Sequence, residues 1–496
     1  MRMKTPLKIA LASSEVAPFA KTGGLADVSG ALPKYLTRLG CDVKVFMPKY
    51  VSVDDSKWDL HYCADIGEIL IRMGRVTRSA HVLKSVIPGS EAEIYFIECP
   101  HYYHRRHIYT MDRDEDERFI LFCKAVIEVM QRIQWAPDVV HCNDWQTGLI
   151  PIYLKDNYNW DRMFDRTACL YSIHNIAYQG RFSKDTLYRA EMRPDQFYPG
   201  GPMEFHDTFS FMKTGILSSE IVTTVSHTYA KEILTYEYGN GMNDVLWPRQ
   251  NDLFGVLNGI DYDEWNPEKD KYIPHPFSQS DLSGKEKNKK FLLEQTHLTY
   301  DPAKPVIGIV SRLVGQKGFD LIEKALPELM LLDAQWVILG SGEDRYEDMF
   351  ENLHHALPYK VWTYIGYSNE LAHRIEAGAD IFLMPSHFEP CGLNQMYSQR
   401  YGTIPVVRKT GGLADTVWDW HELHSAGRGI GNGFTFTDAS PYALFTTLLR
   451  ALETYKDKTV WRKIQQNAMA MDHSWDASAQ RYIELYKMAI QKRRAE

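Results

Sequence analysis

Ionisable side chains follow several apolar segments of this chain, where the strands of an α/β protein would end. Arg312 and Lys317 lie in SRLVGQKG after the run PVIGIV, and Glu389 lies in FEPCGLNQ after ADIFLMPS. Cations of this kind hold phosphates and neutralise the charge that builds as a phosphate departs, and a carboxylate can accept hydrogen bonds from sugar hydroxyls. The alternatives are two solvated surface cations and an acid interacting with a helix dipole.

Further polar residues occupy the same kind of position. They are Lys21, Gly23, Gly24 and Asp27 in KTGGLAD, Asp144 in HCNDW, His174 in SIHNIAYQG, Asn258 in LNGID and Tyr367 in IGYSNE. Ligands of doubly wound folds bind at the carboxyl ends of strands, so we expect these residues to line a binding cleft if the two halves face each other. Helix-start roles for the two aspartates and a core position for His174 are the competing interpretations.

The heptapeptide KTGGLAD occurs twice, at residues 21–27 and again 388 positions later at residues 409–415. Each copy follows a short apolar run and precedes a helix-like stretch, which is typical of a strand, a glycine turn and a helix start. Unpaired N–H groups at such a helix start favour phosphate. We expect the first copy to bind substrate and the second to frame the pocket.

The elements that must position these residues alternate between strand-like and helical patterns. The predicted strands are KIALASSE, DVKVFMP, EIYFIEC, DVVHCND, TACLYSIHN, EIVTTVS, FGVLNGI, PVIGIVSRL, AQWVILGSG, VWTYIGY, ADIFLMPS and IPVVRKTGG. This alternation predicts an α/β fold with mainly parallel sheets covered on both faces. We predict domains at 1–260 and 261–475, with a hinge at the start of the polar segment 261–305, and a terminal helix at 476–496 with one buried face.

Composition excludes several classes of protein. The chain has 496 residues and a net charge of -8, which favours two domains and argues against nucleic acid as a partner. Seven scattered cysteines without a CxxC pair are typical of the cytoplasm and predict neither a disulfide framework nor a zinc site. The apolar run from Phe119 carries Lys124 and Glu128, so we expect an amphipathic helix and no membrane span. No HExxH or aspartate cluster indicates a metal.

The motifs, in their order, resemble the bacterial glycogen synthases and plant starch synthases. The resemblance runs nearly end to end, through KTGGLADV, HCNDWQTGL, SIHNIAYQGRF, TTVSHTYA, LNGIDYDEWNP, SRLVGQKG, FEPCGLNQ and KTGGLADTV. It implies the GT-B fold of two Rossmann-like domains facing across a deep cleft, with the terminal helix returning to the N-terminal domain. It also implies transfer of glucose from ADP-glucose to the nonreducing end of an α-1,4-glucan or malto-oligosaccharide, with retention of configuration and without a metal or other cofactor.

The resemblance assigns roles to matched positions. Lys21, Gly23 and Gly24 would bind the sugar nucleotide, Asp27 and Asp144 would belong to the same wall, and His174 and Asn258 would contact the donor glucose. Arg312 and Lys317 would stabilise the leaving diphosphate, Glu389 would bind the glucose hydroxyls and Tyr367 would touch the base. Substrate contacts are also expected from the FEPCGLNQ turn and the helix after it, at Cys391, Gly392, Leu393, Asn394 and Tyr397.

Departures from the pattern put donor preference and acceptor contacts in doubt. Tyr397 occupies the place where many retaining GT-B enzymes have a glutamate that binds ribose, and Asn394 replaces a frequent threonine. The loop from His101 lacks the glycines usual before the next helix. A UDP-glucose-using, sucrose-making or trehalose-making transferase is the nearest alternative. An NAD-dependent dehydrogenase and a glucan-binding scaffold with a decayed site are more distant ones.

Overall fold

The computed structural model describes residues 6–495, and these form two compact units. Unit 1 contains the chain up to Gly259 together with Trp475 and the residues after it, and unit 2 comprises Ile260–Ser474. The chain therefore crosses between the units twice. Residues 1–5 of the predicted N-terminal domain and residue 496 of the predicted terminal helix lie outside the described residues.

The strands follow the apolar segments of the sequence. They are β1 Lys8–Ala12, β2 Asp42–Pro48, β3 His61–Tyr62, β4 Ile69–Met73, β5 Val76–Val86, β6 Glu93–Glu98, β7 Val139–Asn143, β8 Ala168–Ile173, β9 Arg181–Phe182, β10 Glu204–Phe205, β11 Thr208–Ser210, β12 Ile221–Thr224, β13 Leu253–Gly255, β14 Val306–Leu313, β15 Gln335–Gly342, β16 Val361–Ile365, β17 Ile381–Met384, β18 Ile404–Arg408 and β19 Phe434–Phe436.

Helices connect most of these strands. They are α1 Gly24–Arg38, α2 Pro100–Tyr103, α3 Glu115–Arg132, α4 Ile150–Lys155, α5 Thr186–Arg189, α6 Phe211–Ser218, α7 His227–Glu232, α8 Asn243–Leu246, α9 Ser283–Gln295, α10 Phe319–Lys324, α11 Leu326–Leu329, α12 Asp344–Ala356, α13 Asn369–Gly378, α14 Asn394–Arg400, α15 Gly411–Thr416, α16 Trp420–Ser425, α17 Pro441–Lys456, α18 Lys458–Met469 and α19 Trp475–Ala495.

Unit 1 is built on a sheet with the strand order β13-β12-β8-β7-β1-β2-β6-β5-β3, with β4 paired to β5. From β13 to β6 all neighbours are parallel, and β5 joins β6 in the antiparallel direction. The chain leaves β1 towards β2 on one side and returns to β7 on the other. The order therefore reverses between β1 and β7, where doubly wound proteins bind their ligands.

Unit 2 repeats this scheme with the order β16-β15-β14-β17-β18-β19, all parallel. Here the reversal lies between β14 and β17. Its core contains the inner faces of the strands and the apolar faces of α10, α12, α17 and α18. Each unit is thus a Rossmann-like domain with one switch point.

All twelve predicted strands are confirmed, because strands buried on both faces appear in a sequence as continuous apolar runs. The antiparallel strands β3 to β5, the small sheet of β9, β10 and β11, and β19 were not predicted. β4 alternates buried and exposed residues and β5 is largely half-exposed, so neither forms a continuous apolar run.

Two helix predictions have different outcomes. The terminal helix α19 buries one face that includes Trp475, Tyr482 and Tyr486, as predicted. The segment after Phe119 does form a helix, α3, but its amphipathic character was wrong. Lys124 is buried, and its Nζ lies 2.6 Å from a carboxylate oxygen of the partly buried Glu191, so the lysine does not mark a polar face of the helix. No helix of the described residues is long and apolar enough to cross a membrane.

Candidate functional site

The glycine turn after β1 is organised by a buried carboxylate, Glu15. Its oxygens accept hydrogen bonds from the backbone N–H of Thr22 and, at 3.2 Å, from that of Gly23. They also accept from the hydroxyls of Thr22, at 2.7 Å, and Tyr109. Two N–H groups of the turn are therefore occupied by the protein itself, and the turn is anchored before any ligand arrives. Sequence reasoning missed Glu15, although an acid directly after a strand and before a glycine turn was a usable signal.

The outer side of this turn is open. Gly24 is exposed, and a Cβ added to Gly23 would meet no atom within 4 Å. Lys21 Nζ lies 2.6 Å from Asp27 Oδ1 in the first turn of α1, and both side chains are partly exposed. The first KTGGLAD copy thus presents a lysine, a carboxylate and accessible backbone at one surface.

Asp144 directly follows β7, on the other side of the unit 1 switch point. Its Oδ1 accepts the backbone N–H of His174 at 2.7 Å, which joins the loops after β7 and β8. Burial raises the pKa of Asp144 to about 7, and the nearby charge of Glu15 acts in the same direction, against the lowering effect of the His174 and Asn175 N–H groups. Asp144 has φ 56°, a left-handed conformation that costs free energy in a non-glycine residue.

His174 is a buried neutral imidazole. Asn143 donates its NH2 group to the carbonyl of Ala12 at 3.0 Å, so its Oδ1 is left to accept from His174 Nε2, 2.8 Å away. Burial lowers the pKa of His174 to about 3. At neutral pH this side chain therefore carries no charge, and its proton sits on Nε2.

Asn258 lies beyond β13 in the same unit. Its side chain is 5% exposed, and its Oδ1 has no hydrogen-bond partner among residues 6–495. An unsatisfied buried acceptor is costly, which makes this amide a candidate for contact with a hydroxyl group.

At the unit 2 switch point, Lys317 and Glu389 form an ion pair. Lys317 Nζ lies 2.6 Å from Glu389 Oε2, and the same oxygen accepts from Ser386 Oγ at 3.0 Å. The lysine follows β14 and the glutamate follows β17, so the pair spans the reversal of strand order. Neither residue was predicted to contact the other. Arg312 lies at the end of β14 with its side chain exposed.

The loop that carries Lys317 is tightly fitted to its surroundings. Gly318 has φ +76°, and a Cβ there would lie 2.0 Å from the carbonyl oxygen of Pro385. The backbone of His387 donates to the carbonyl of Gln316 at 2.9 Å. The loops after β14 and β17 are thus one assembly, and its geometry holds Lys317 next to Glu389.

The second KTGGLAD copy, after β18, packs against the Glu389 turn. Gly412 N–H donates to the carbonyl oxygen of Glu389 at 3.1 Å. A Cβ on Gly411 would lie 1.9 Å from that oxygen, and one on Gly412 would lie 2.0 Å from the carbonyl oxygen of Cys391. Both glycines are buried. This copy shapes the turn that carries Glu389.

The remaining predicted residues of unit 2 differ in accessibility. Cys391 is buried, Gly392 has φ +69°, and Leu393 lies partly buried just before α14. Asn394 donates its amide to the carbonyl of Val310 at 2.6 Å.

The two predicted tyrosines contrast sharply. Tyr397 is buried, and its ring stacks on that of Trp265 with 3.8 Å between centroids. Tyr367 is 76% exposed at the loop before α13.

The structure therefore brings predicted residues into contact with one another, including Lys21 with Asp27, Asp144 with His174, and Lys317 with Glu389. The first two are in unit 1 and the third is in unit 2. Among the described residues no group of three or more His, Cys, Asp or Glu side chains has the arrangement of a metal site.

Comparison with known families gives consistent matches to both units. Residues 8–248 match the starch synthase catalytic domain, and residues 294–468 match the glycosyl transferases group 1. A glycogen synthase of Desulforudis audaxviator is 44% identical over 498 residues, covering 98% of this chain and 97% of that one. A glycogen synthase of Thermotoga maritima is also 44% identical, covering 98% and 99%.

Solved structures agree. The catalytic domain of starch synthase IV from Arabidopsis thaliana, bound to ADP and acarbose, superposes with a TM-score of 0.91 at 34% identity, covering 98% of this chain and all of that one. Sucrose-phosphate synthase from Thermosynechococcus elongatus has a TM-score of 0.58 at 15% identity, which shows a shared fold.

Proposed function

The chain belongs to the family of glycogen and starch synthases, which are retaining glycosyltransferases of the GT-B fold. On this basis we propose which of its residues act in the transfer of glucose from ADP-glucose to the nonreducing end of an α-1,4-glucan. The family membership predicted from the motifs is confirmed by relatives 44% identical over nearly the whole chain. The observation that carries the proposal is the Lys317–Glu389 pair, a cation and a carboxylate held together at a switch point.

Lys317 and Arg312 are proposed to hold the diphosphate of the donor. An ammonium group has three N–H donors, so Lys317 can keep its bond to Glu389 and still donate to a phosphate oxygen. Arg312, exposed on the same strand end, adds a second cation with a fork that fits phosphate. Together they would stabilise the negative charge that develops as ADP leaves.

Glu389 is proposed to hold the transferred glucose. Lys317 and the Ser386 hydroxyl both bond to Oε2, so Oε1 is the oxygen better placed to accept from a sugar hydroxyl. Because a second glycine turn buttresses its backbone, the carboxylate is positioned in advance. Such preorganisation avoids reorganisation during the reaction.

Unit 1 is proposed to supply Lys21 and the open glycine turn to the donor, and Asp144, His174 and Asn258 to the reacting sugars. Because its one ring proton is donated to Asn143, a neutral His174 can accept a hydrogen bond at Nδ1 but supplies no positive charge. Asp144, with a pKa near 7, is present in both protonation states at neutral pH.

For the chemical step we propose a front-face displacement. The bond between glucose C1 and the phosphate oxygen breaks, and the acceptor hydroxyl oxygen bonds to C1 on the same face. Its proton passes to the departing phosphate, which leaves as ADP. A covalent glucosyl-enzyme trapped on Glu389 or Asp144 would contradict this step.

ADP-glucose is the proposed donor because the relatives are glycogen synthases and the structurally similar starch synthase IV is bound to ADP. The test is incubation of the purified protein with malto-oligosaccharide and either ADP-glucose or UDP-glucose, with nucleotide release and product length as readouts. We expect chains lengthened by single glucose units, with ADP-glucose preferred. Nucleotide release without chain growth, or a preference for UDP-glucose, would overturn the assignment.

No metal is proposed in this reaction, because Arg312 and Lys317 supply the positive charge. Excess chelator should leave the rate unchanged, and loss of activity would reveal a missed metal. A cytoplasmic location is proposed from the cysteines, because all seven are buried and their sequence positions include no CxxC pair.

A further inference from the structure

A segment without helix or strand, residues 261–273, lies across two helices of unit 2; we call it the strap. It starts one residue after Ile260, which forms a bridge with Ser474 at the two chain crossings. Its aromatic residue Trp265 is 8% exposed. The ring of Trp265 lies between α13 and α14, and it contacts a side chain from each.

The contacts of Trp265 form a triple stack. Its ring is parallel to that of Tyr397 on α14, with 3.8 Å between centroids and 9° between planes. On α13 the ring of His373 is stacked on Trp265 at 3.8 Å and 8°. Stacked rings lie in parallel planes at a fixed separation, so each ring restricts its neighbours.

His373, at one end of the stack, is held by the carboxylate of Asp270. His373 Nδ1 lies 2.7 Å from Asp270 Oδ2, and Tyr401 donates its hydroxyl to the same oxygen at 2.6 Å. Although burial raises it, hydrogen bonds from His373 and Tyr401 keep the pKa of Asp270 below its ordinary value. An ionised Asp270 thus fixes His373, and the strap supplies both the carboxylate and the ring between the helices.

A second contact ties α14 to the strap. The Arg400 guanidinium lies 4.7 Å from the ring centre of Tyr262 and reaches Asn266 Oδ1 at 3.3 Å. These contacts lie at the last turn of α14, and the Trp265 stack lies one turn earlier.

The two helices held by the strap position residues that the family resemblance assigns to the donor: Tyr367, expected at the base, and Tyr397, an expected substrate contact. α13 begins two residues after Tyr367, and Tyr397 is itself on α14. The geometry points to Trp265 as a positioning residue for the nucleotide of the donor: it fixes Tyr397 directly and α13 through His373. This inference rests on the proposed function.

The test compares Trp265→Phe and Trp265→Leu with Trp461→Phe. Trp461 is another buried tryptophan of unit 2, in its core and packed against Phe434 and Tyr455. Losing an aromatic contact of this kind can weaken ADP binding by at most the free energy of the contact, roughly 0.5–1.5 kcal/mol, which corresponds to about twofold to thirteenfold in affinity. We expect the dissociation constant of ADP to rise about threefold in Trp265→Phe and about tenfold in Trp265→Leu.

The kinetic readout separates positioning from packing. A contact made equally in ground and transition states changes KM with kcat unchanged, so KM for ADP-glucose should follow the ADP affinity while kcat and KM for malto-oligosaccharide stay within about twofold. Trp461→Phe should lower Tm without changing ADP affinity. The positioning role is wrong if folded Trp265→Phe has a lower Tm but binds ADP like wild type. This conclusion does not depend on whether the Trp265→Leu variant folds.

Tyr397→Leu distinguishes the two failures. If it weakens ADP binding while the Trp265 variants do not, the positioning inference fails and the nucleotide site stands. If wild-type protein binds neither ADP nor ADP-glucose, the proposed function itself fails.

Discussion

The two copies of KTGGLAD have the same seven residues and opposite surroundings. In the first copy Gly24 is exposed and Gly23 has open space on its side-chain side. In the second, Gly411 and Gly412 are buried against the carbonyls of Glu389 and Cys391. Glycine permits close approach in both, but only in the first can the approaching group be a ligand.

Topology explains the difference. The first copy follows β1, the central strand at the unit 1 switch point, whereas the second follows β18, one strand beyond the unit 2 switch point. The unit 2 loop in the position equivalent to the first copy is the one after β14, which carries Lys317. By sequence identity Lys21 therefore corresponds to Lys409, whereas by its position in the fold it corresponds to Lys317.

The largest effect on activity is expected at Lys317, the topological equivalent of Lys21 in unit 2. Lys317→Ala should reduce kcat by about 100- to 1,000-fold, because it removes one electrostatic contact to a developing charge. Folding should change little, since Lys317 is the more exposed member of the pair. Activity within a few-fold of wild type, at unchanged Tm, would exclude the leaving-group role.

Substituting the equivalent lysine in each KTGGLAD copy tests whether only the first copy binds the donor. Lys21→Ala should lower kcat/KM for ADP-glucose by about 100-fold if Lys21 contacts the donor. Lys409 Nζ lies 3.5 Å from Glu422 in an exposed pair, which contributes at most about 1 kcal/mol, so Lys409→Ala should stay within about twofold of wild type. Equal losses in the two variants would contradict the comparison.

The unit 1 region should also respond to pH through Asp144. Burial and the charge of Glu15 raise the pKa of the Asp144 carboxyl to about 7. Between its ordinary value of 3.8 and 7, folded Asp144 holds a proton that the unfolded chain has lost, so stability falls as pH rises through that window.

Asp144→Asn lacks this penalty. Its unfolding free energy relative to wild type should rise from pH 4 to pH 7 and then level off, by at most about 4 kcal/mol. Thermal unfolding of both proteins across this range is the measurement. A difference that is independent of pH would show that Asp144 has an ordinary pKa.

Much of the fold could be predicted from sequence because parallel strands buried on both faces leave continuous apolar runs, as in β7 and β8. The antiparallel strands β4 and β5 lack that signal. Lys124 looked like part of a polar face because its partner, Glu191, is 67 positions away in the chain. Long-range ion pairs leave no local pattern.

In the candidate site, too, some features could be predicted from local sequence and others could not. Residue types at strand ends identified Lys317 and Glu389, since strand ends can be read locally. Their 2.6 Å contact could not be predicted, because it depends on the order of strands in the sheet. Glu15 was missed for a related reason: its partners include Tyr109, which belongs to a loop 94 positions later. The roles assigned to individual site residues stay predictions until substrate binding is measured.

The most direct test of the central claim makes one substitution in both copies, Gly23→Ala and Gly412→Ala, and compares their unfolding free energies. A Cβ on Gly23 meets nothing and its extended backbone suits any residue, so stability should stay within about 0.5 kcal/mol of wild type. A Cβ on Gly412 would lie 2.0 Å from a backbone oxygen, which should destabilise unit 2 by about 1–3 kcal/mol. Equal losses of stability in the two variants would contradict the claim that one copy faces substrate and the other supports the Glu389 turn.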